Sequence, residues 1–408
     1  MSGENVEVVN VGMYNTDQGP DFFNAQVRID DIMWAGNVEI HRTTEEWYAH
    51  GHNADPMYDN VVLHVVGHSS GQTVRNSKGR QIPEIEIAWD VTLEARAEQL
   101  KESGLHEKRC ASGVQDLPDV VRTSWLDALA AERMEQKCNR AENIKKQTGG
   151  DPDQMFYTLM ARALGGKVNS QPMEQLAQSA PLNILLKHRT SALQVEAILL
   201  GQSGLLGQVP TDYDAPYIGN LKKEYKFFQA KFGLQPLDVG IWKYLRLRPT
   251  NFPDIRIVQL AALVRSLPGN FEAALREQTT EKGFIQLLSA DSPSDYWETH
   301  YKLGTLSLHK SKKHIGEATL RIIIINAVVP FLFVLARRRG DTEGAEKAID
   351  LLRTIDTERN SRIEAWHKVG ITPRDEVEAQ ALLQLTTEYC EKGRCMHCRF
   401  GHAILAKH

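Results

Sequence analysis

Between Gly19 and His41 the chain reads Gly-Pro-Asp-Phe-Phe, an alternating run, Asp-Asp, and a second alternating run ending Val-Glu-Ile-His. Few arrangements accommodate that order. Gly19-Pro20 is a turn dipeptide that delivers Asp21 to the head of a strand, and Phe22 to Ile29 alternates as a half-buried strand does. Asp30-Asp31 predicts a tight turn into a second strand, Met33 to His41. Alternate residues of a strand share a face, so Glu39 and His41 point one way while Val38 and Ile40 face a core. Pairing the two strands brings Asp21 beside Glu39 and sets two carboxylates and an imidazole around one small volume open to solvent. That is the donor chemistry of a divalent metal site.

The flanking sequence supplies the rest of a small sheet. Asn5 to Val11 predicts an earlier strand, and Thr43-Thr44-Glu45-Glu46 opens a short helix with a threonine cap and acids in its first turn. Asn60 to Val66 is a continuous apolar run suited to the middle of a sheet, and Ile82 to Trp89 predicts a strand beyond a polar loop. From Asp90 the period becomes helical, over Val91–Ser103, Val120–Lys146, Asp153–Leu164, Pro181–Leu200 and Asn220–Phe232. It continues over Pro253–Leu267, Phe271–Leu288, Glu317–Arg339 and Thr342–Leu352. The expected class is α+β: a small mixed sheet over residues 1–90, a connector over 91–119, and a large all-α domain over 120–408. A chain of 408 residues has length for two or three domains.

Composition narrows the partners. A net charge of −4 gives no general field that attracts nucleic acid or an anionic membrane, so any nucleic-acid contact must use a local basic patch. The most apolar run, Ile322 to Leu335, is short for a bilayer and contains Asn326 and Pro330, which predicts a buried helix. The polar opening Met1-Ser2-Gly3-Glu4-Asn5 and an odd count of five cysteines predict a reducing, cytoplasmic setting. There is no phosphate-binding Gly-x4-Gly-Lys loop, dinucleotide fingerprint or Gly-x-Ser-x-Gly elbow.

Three further clusters carry chemistry. His50, His52 and Asp55 follow closely on His41, where they can act around the Asp21–Glu39 centre or contact a phosphate; histidines with carboxylates also ligate zinc. In the tail, Cys390-x4-Cys395-x2-Cys398 contains a two-ligand knuckle, with Cys110, His397 or His402 available as a fourth ligand. The same thiolates serve zinc or an iron–sulfur cluster. Lys222, Lys223 and Lys226, interleaved with aromatics, and Arg248, Asn251 and Arg256 around Pro249 and Pro253 form the best candidate surface for nucleic acid. Asn251 or Thr250 is placed to cap the helix that starts at Pro253.

The pattern Pro20-Asp21 followed by Glu39-x-His41 resembles the PD-(D/E)xK nuclease superfamily, in which two carboxylates hold magnesium and a lysine orients the attacking water. The resemblance implies a restriction-endonuclease-like core with magnesium or manganese on Asp21 and Glu39. His41 stands in the lysine position, and a histidine is mostly uncharged at neutral pH. Longer phrases, among them Gly19-Pro20-Asp21-Phe22, Gly36-Asn37-Val38-Glu39-Ile40-His41, Tyr58–Val66, Gly201–Leu206, Arg248–Pro253 and the Cys390–Cys398 tail, resemble an uncharacterised bacterial family, a domain of unknown function. Members of that family begin with an additional helical segment, which implies an N-terminally short version here. The sequence thus supports three readings: a metal-dependent nuclease using Asp21, Glu39 and His41, an inactive nucleic-acid-binding or assembly protein, and a hydrolase of small substrates with a His41/His50/His52 metal site.

Overall fold

Asp30 turns the chain at φ +50 and joins β3 (Phe22–Ile29) to β4 (Ile32–Thr43) as an antiparallel pair. In this computed structural model the described residues are 5–15, 17–88, 92, 95–98, 110, 111, 113–209, 216–357 and 360–406. They divide into two compact units, residues 1–102 and 103–408.

The first unit is a mixed sheet. β1 (Val6–Asn10) and β2 (Met13–Tyr14) pair antiparallel with β3, whereas β5 (Val61–His68) runs parallel to β4 and β6 (Glu84–Glu86) parallel to β5. The order is β1-β3-β4-β5-β6, so the apolar run of β5 lies between two neighbours, where both faces need covering. Ala25, Val27, Ile29, Val38 and Leu63 form one small core, and Trp47, Tyr58, Val61, Val74 and Ile82 form another.

Several expectations are corrected here. Ile40 does not face a core: it is 47% exposed, while Glu39 and His41 on the opposite face are 6% and 8% exposed. The short helix α1 (Glu46–Ala49) starts without a side-chain cap, because Thr44 donates its hydroxyl to Glu84 Oε1 at 2.9 Å instead. The strand expected up to Trp89 is limited to β6, and Trp89 itself lies outside the described residues. So do most of Val91–Ser103 and most of the 91–119 connector.

The second unit is helical apart from a small hairpin, His300–Lys302 with Thr305–Leu306. Pro253–Ser266 is buried almost all round, as an internal helix must be. The expected helix over Pro181–Leu200 is two, Leu182–Lys187 and Ala192–Gln202, because Ser191 caps the second by accepting from Gln194 N. Phe271–Leu288 is likewise two, with Thr280 capping Glu281–Leu287. Glu317–Arg339 is one 23-residue helix, long and apolar enough by composition to cross a membrane, and so longer than the apolar run suggested. Its middle, Ile323 to Val329, is nonetheless mostly buried in the core. A π-helical turn at Ile324–Val328 precedes Pro330, which has no N–H to give to the regular ladder.

Candidate metal centre

Three aligned strand positions frame the site. Glu39 of β4 is paired with His64 of β5, and His64 with Glu84 of β6, so the three side chains form a row across one face of the sheet. Two residues along β4, His41 joins the same face. Its approach to His64 depends on how closely β4 and β5 lie together. At Gly36 a Cβ would stand 2.4 Å from Val62 Cγ1 and 2.6 Å from the Asn60 carbonyl oxygen, so glycine permits that spacing.

Glu84 sets the protons in this row. Its Oε1 accepts hydroxyls from Thr44 at 2.9 Å and Ser69 at 2.6 Å, and its Oε2 lies 2.8 Å from His64 Nδ1. A carboxylate only accepts, so His64 Nδ1 carries the hydrogen and His64 Nε2 is left as an acceptor. His41 Nδ1, 2.8 Å from that Nε2, therefore donates, and His41 Nε2 is left with its lone pair directed away from the row. Burial first, then the neighbouring His64, His52 and His50, lowers the His41 pKa to about 3, so the ring is neutral at ordinary pH.

The chain after β4 brings back two more imidazoles. Trp47 is fully buried beside His41 and His64 and donates its indole N–H to Arg75 O at 3.0 Å. Gly51, at φ +76, reverses the chain between His50 and His52 so that both rings reach His41. His50 Nδ1 stands 3.2 Å from His41 Nε2. His52 stacks on Tyr58 with ring centroids 3.7 Å apart, and its Nε2 is buried without a hydrogen-bond partner. One nitrogen from each of His41, His50 and His52 lies within 4.8 Å of the other two. Glu39 Oε1 is 3.4 Å from both His41 Nε2 and His52 Nε2.

The 3.2 Å between His50 Nδ1 and His41 Nε2 suits two ligands of one ion. A tetrahedral metal bound at about 2.0–2.1 Å by nitrogen or oxygen has ligand–ligand edges of about 3.3–3.4 Å. An orphaned buried imidazole nitrogen is the atom such an ion would satisfy. Imidazole-rich donors suit zinc and its neighbours, whereas magnesium and calcium prefer sets made of oxygen.

Asp21 and Glu39 do come together, with Asp21 N–H donating to Glu39 Oε2 at 3.0 Å. Asp21 Oδ2, however, accepts the Ile40 N–H at 2.9 Å, so this carboxylate braces the strand end. Nor is Glu39 open to solvent as expected; of the four residues around the site, only His50 is exposed. Burial first, then the Asp21 carboxylate, raises Glu39 to about 7, against the lowering effect of the Asp21 N–H. Asp55 accepts from Met57 N at 2.9 Å and caps a turn rather than joining the cluster. Sequence spacing gave no sign of Glu84, because a partner on a parallel neighbouring strand has no fixed offset.

The Glu39 shift makes a testable statement about the metal-free protein. Its folded pKa lies above the unfolded one, so the stability it lends is complete below about 4.5 and is lost as the pH rises through about 7. Glutamine can still accept the Asp21 N–H without a buried charge. Glu39→Gln is therefore expected to stabilise metal-free protein near pH 8 by on the order of 2–3 kcal/mol, with the gain shrinking towards pH 4.5. Calorimetry of both proteins across that range checks it, and a difference independent of pH contradicts it.

The nucleic-acid candidates of the second unit are only partly at the surface. Arg256 is an internal brace, donating to Gln259 Oε1 at 2.8 Å and Asn251 Oδ1 at 2.7 Å, and burial lowers it to about 10. Asn251 thus serves Arg256 and does not cap Pro253–Ser266, which has no side-chain cap. Lys222 donates to Val209 O at 2.6 Å. Lys223, Lys226 and Arg248 are exposed, but of the neighbouring aromatics Phe228 and Trp242 are core residues and Phe227 is the exposed one.

A sequence family described as Protein of unknown function (DUF2851) matches residues 1–361, which leaves Cys390, Cys395 and Cys398 beyond the matched part. No curated protein and no solved structure matches the chain.

Proposed function

The chain belongs to the DUF2851 family, whose description names no activity, and we propose from the site itself that its first unit is a metal-dependent hydrolase of small substrates. His41, His50 and His52 would hold one divalent ion of the zinc class, and Glu39 would be the general base. The observation that carries this reading is the unpartnered His52 Nε2, 3.4 Å from Glu39 Oε1, in a group whose ligand nitrogens from His41, His50 and His52 lie within 4.8 Å of one another.

A divalent ion held there supplies a Lewis acid and lowers the pKa of water towards neutrality. The chain's own groups do the rest. Glu39 Oε1, at the edge between His41 and His52, is placed to accept a proton, and the charge of a bound ion would draw this carboxylate, raised to about 7 in the metal-free site, back towards the ionised form a base requires. The Asp21 N–H holds the other oxygen and fixes the carboxylate's orientation. His64 and Glu84 hold His41 in the tautomer that offers Nε2, which is the task of a partner behind a metal ligand. The stacked Tyr58 ring fixes His52 in place.

Charge favours a small substrate over nucleic acid. Residues 5–88 carry five Lys and Arg (Arg28, Arg42, Arg75, Lys78 and Arg80) against twelve Asp and Glu. Arg28 pairs with Glu7 and Lys78 with Asp59, while Arg75 and Arg80 donate to backbone carbonyls. A polyphosphate strand would meet a repulsive field there. The test compares chelated and metal-reloaded protein on small esters, amides and phosphodiesters, with DNA and RNA beside them. Turnover of a small substrate that returns with zinc-class metal is expected. Cleavage of nucleic acid alone would restore the nuclease reading, and no turnover of any substrate would remove the enzyme.

A further inference from the structure

The tail of the second unit folds back around its cysteines. A π-helical turn, Leu385–Cys390, closes the helix that begins at Glu376, and Gly393 at φ +67 turns the chain. A single 3-10 turn, Cys395–His397, then leads to Cys398, whose N–H donates to Cys395 O at 3.2 Å. Gly401 packs so tightly on this turn that a Cβ would lie 2.2 Å from Cys395 O. The fourth thiol comes from the far end of the unit's sequence. Cys110 and Cys390 pack against the apolar cluster that contains Cys398, Trp125 and Phe400, and Gly113 abuts Ile404 of the tail. No disulfide joins any of the four.

Burial disfavours ionisation of two of the four thiols. Burial raises the Cys110 thiol to about 12, and Cys390, Cys398 and Cys395, close enough to act on it, push it further. Cys398 is raised by burial, while the N–H groups of Gly401 and Phe400 and the indole of Trp125 act against that rise. Trp125 Nε1 is buried and has no close hydrogen-bond partner. Donors directed at a sulfur stabilise its thiolate, and they tune clusters in the same way.

The order of the cysteines along the chain favours a cluster over a single ion. Zinc with Zn–S bonds of about 2.3 Å needs sulfurs about 3.8 Å apart. Among the described residues, His41, His50 and His52 are the one group that brings three ligand atoms within 4.8 Å of one another. Cys110, Cys390 and Cys398 share one apolar cluster, and Cys395 sits on the turn that leads into Cys398. The order Cys390-x4-Cys395-x2-Cys398 with one remote cysteine is also a spacing that four-cysteine clusters use.

We propose that Cys110, Cys390, Cys395 and Cys398 hold an iron–sulfur cluster that ties the tail to the start of the second unit. It is independent of the histidine centre. The test is anaerobic purification of the full chain, reconstitution with ferric iron, sulfide and a thiol reductant, and assay of iron, acid-labile sulfide and visible absorption. Stoichiometric iron and sulfide with a charge-transfer band are expected in the wild type, in Cys138→Ser and in His50→Ala. Cys110→Ser and Cys395→Ser should each lose most of the sulfide, with circular dichroism showing that the helices persist. Zinc without labile sulfide, no metal in the anaerobic protein, or a cluster unaffected by both substitutions would overturn the assignment.

Discussion

Replacing Glu39 with glutamine should leave the metal bound and lower the rate of hydrolysis by roughly 10²–10⁴-fold, the usual contribution of a general base. The reason is the division of labour in the site. Three imidazoles supply the ligand nitrogens, while Glu39 is buried, raised to about 7 and held at one oxygen by the Asp21 N–H. Glutamine can keep that hydrogen bond and the volume, so the change removes the proton acceptor and little else. Metal content and turnover measured on the same preparation separate this account from its nearest rival. Loss of the metal together with the activity would make Glu39 a fourth ligand, and four protein ligands close the site to chemistry.

Gly36→Ala should destabilise the first unit by about 1–3 kcal/mol and weaken metal binding as well. The added methyl would meet Val62 Cγ1 at 2.4 Å and Asn60 O at 2.6 Å. That carbonyl cannot simply withdraw, because it accepts the Asn37 N–H at 2.8 Å. Relief therefore has to part β4 from β5, the two strands that hold His41 and His64 at 2.8 Å. Thermal unfolding and zinc affinity, followed together, should fall together. Unchanged affinity in a destabilised protein would show that the site does not depend on the spacing of those strands.

How far the sequence reached follows from the range of each interaction. The hairpin was legible because alternation and Asp30-Asp31 are local signals, and so was the division into a small mixed sheet and a large helical part. The meeting of Asp21 with Glu39 also followed, since one turn joins their strands. Ile40 misled because alternation shows which residues share a face without saying which face is buried. Here the buried face is lined with histidines, and the apolar residue looks outward. His50 and His52 were visible as histidines, but their convergence depends on a single reversal at Gly51 and on the Trp47 and Tyr58 rings beside them. Glu84 was out of reach because parallel pairing carries no sequence offset. In the helical unit, the breaks at Ser191 and Thr280 were missed because a capping residue inside an apolar pattern looks like ordinary helix surface.

The account rests on one ion held by His41, His50 and His52 with Glu39 beside it, and X-ray absorption at the zinc edge of metal-loaded protein addresses it most directly. The prediction is a first shell of nitrogen and oxygen at about 2.0–2.1 Å with the outer scattering of three imidazoles, reduced by one ring in His50→Ala. A shell made of sulfur at about 2.3 Å, or no stoichiometric zinc at all, would contradict it.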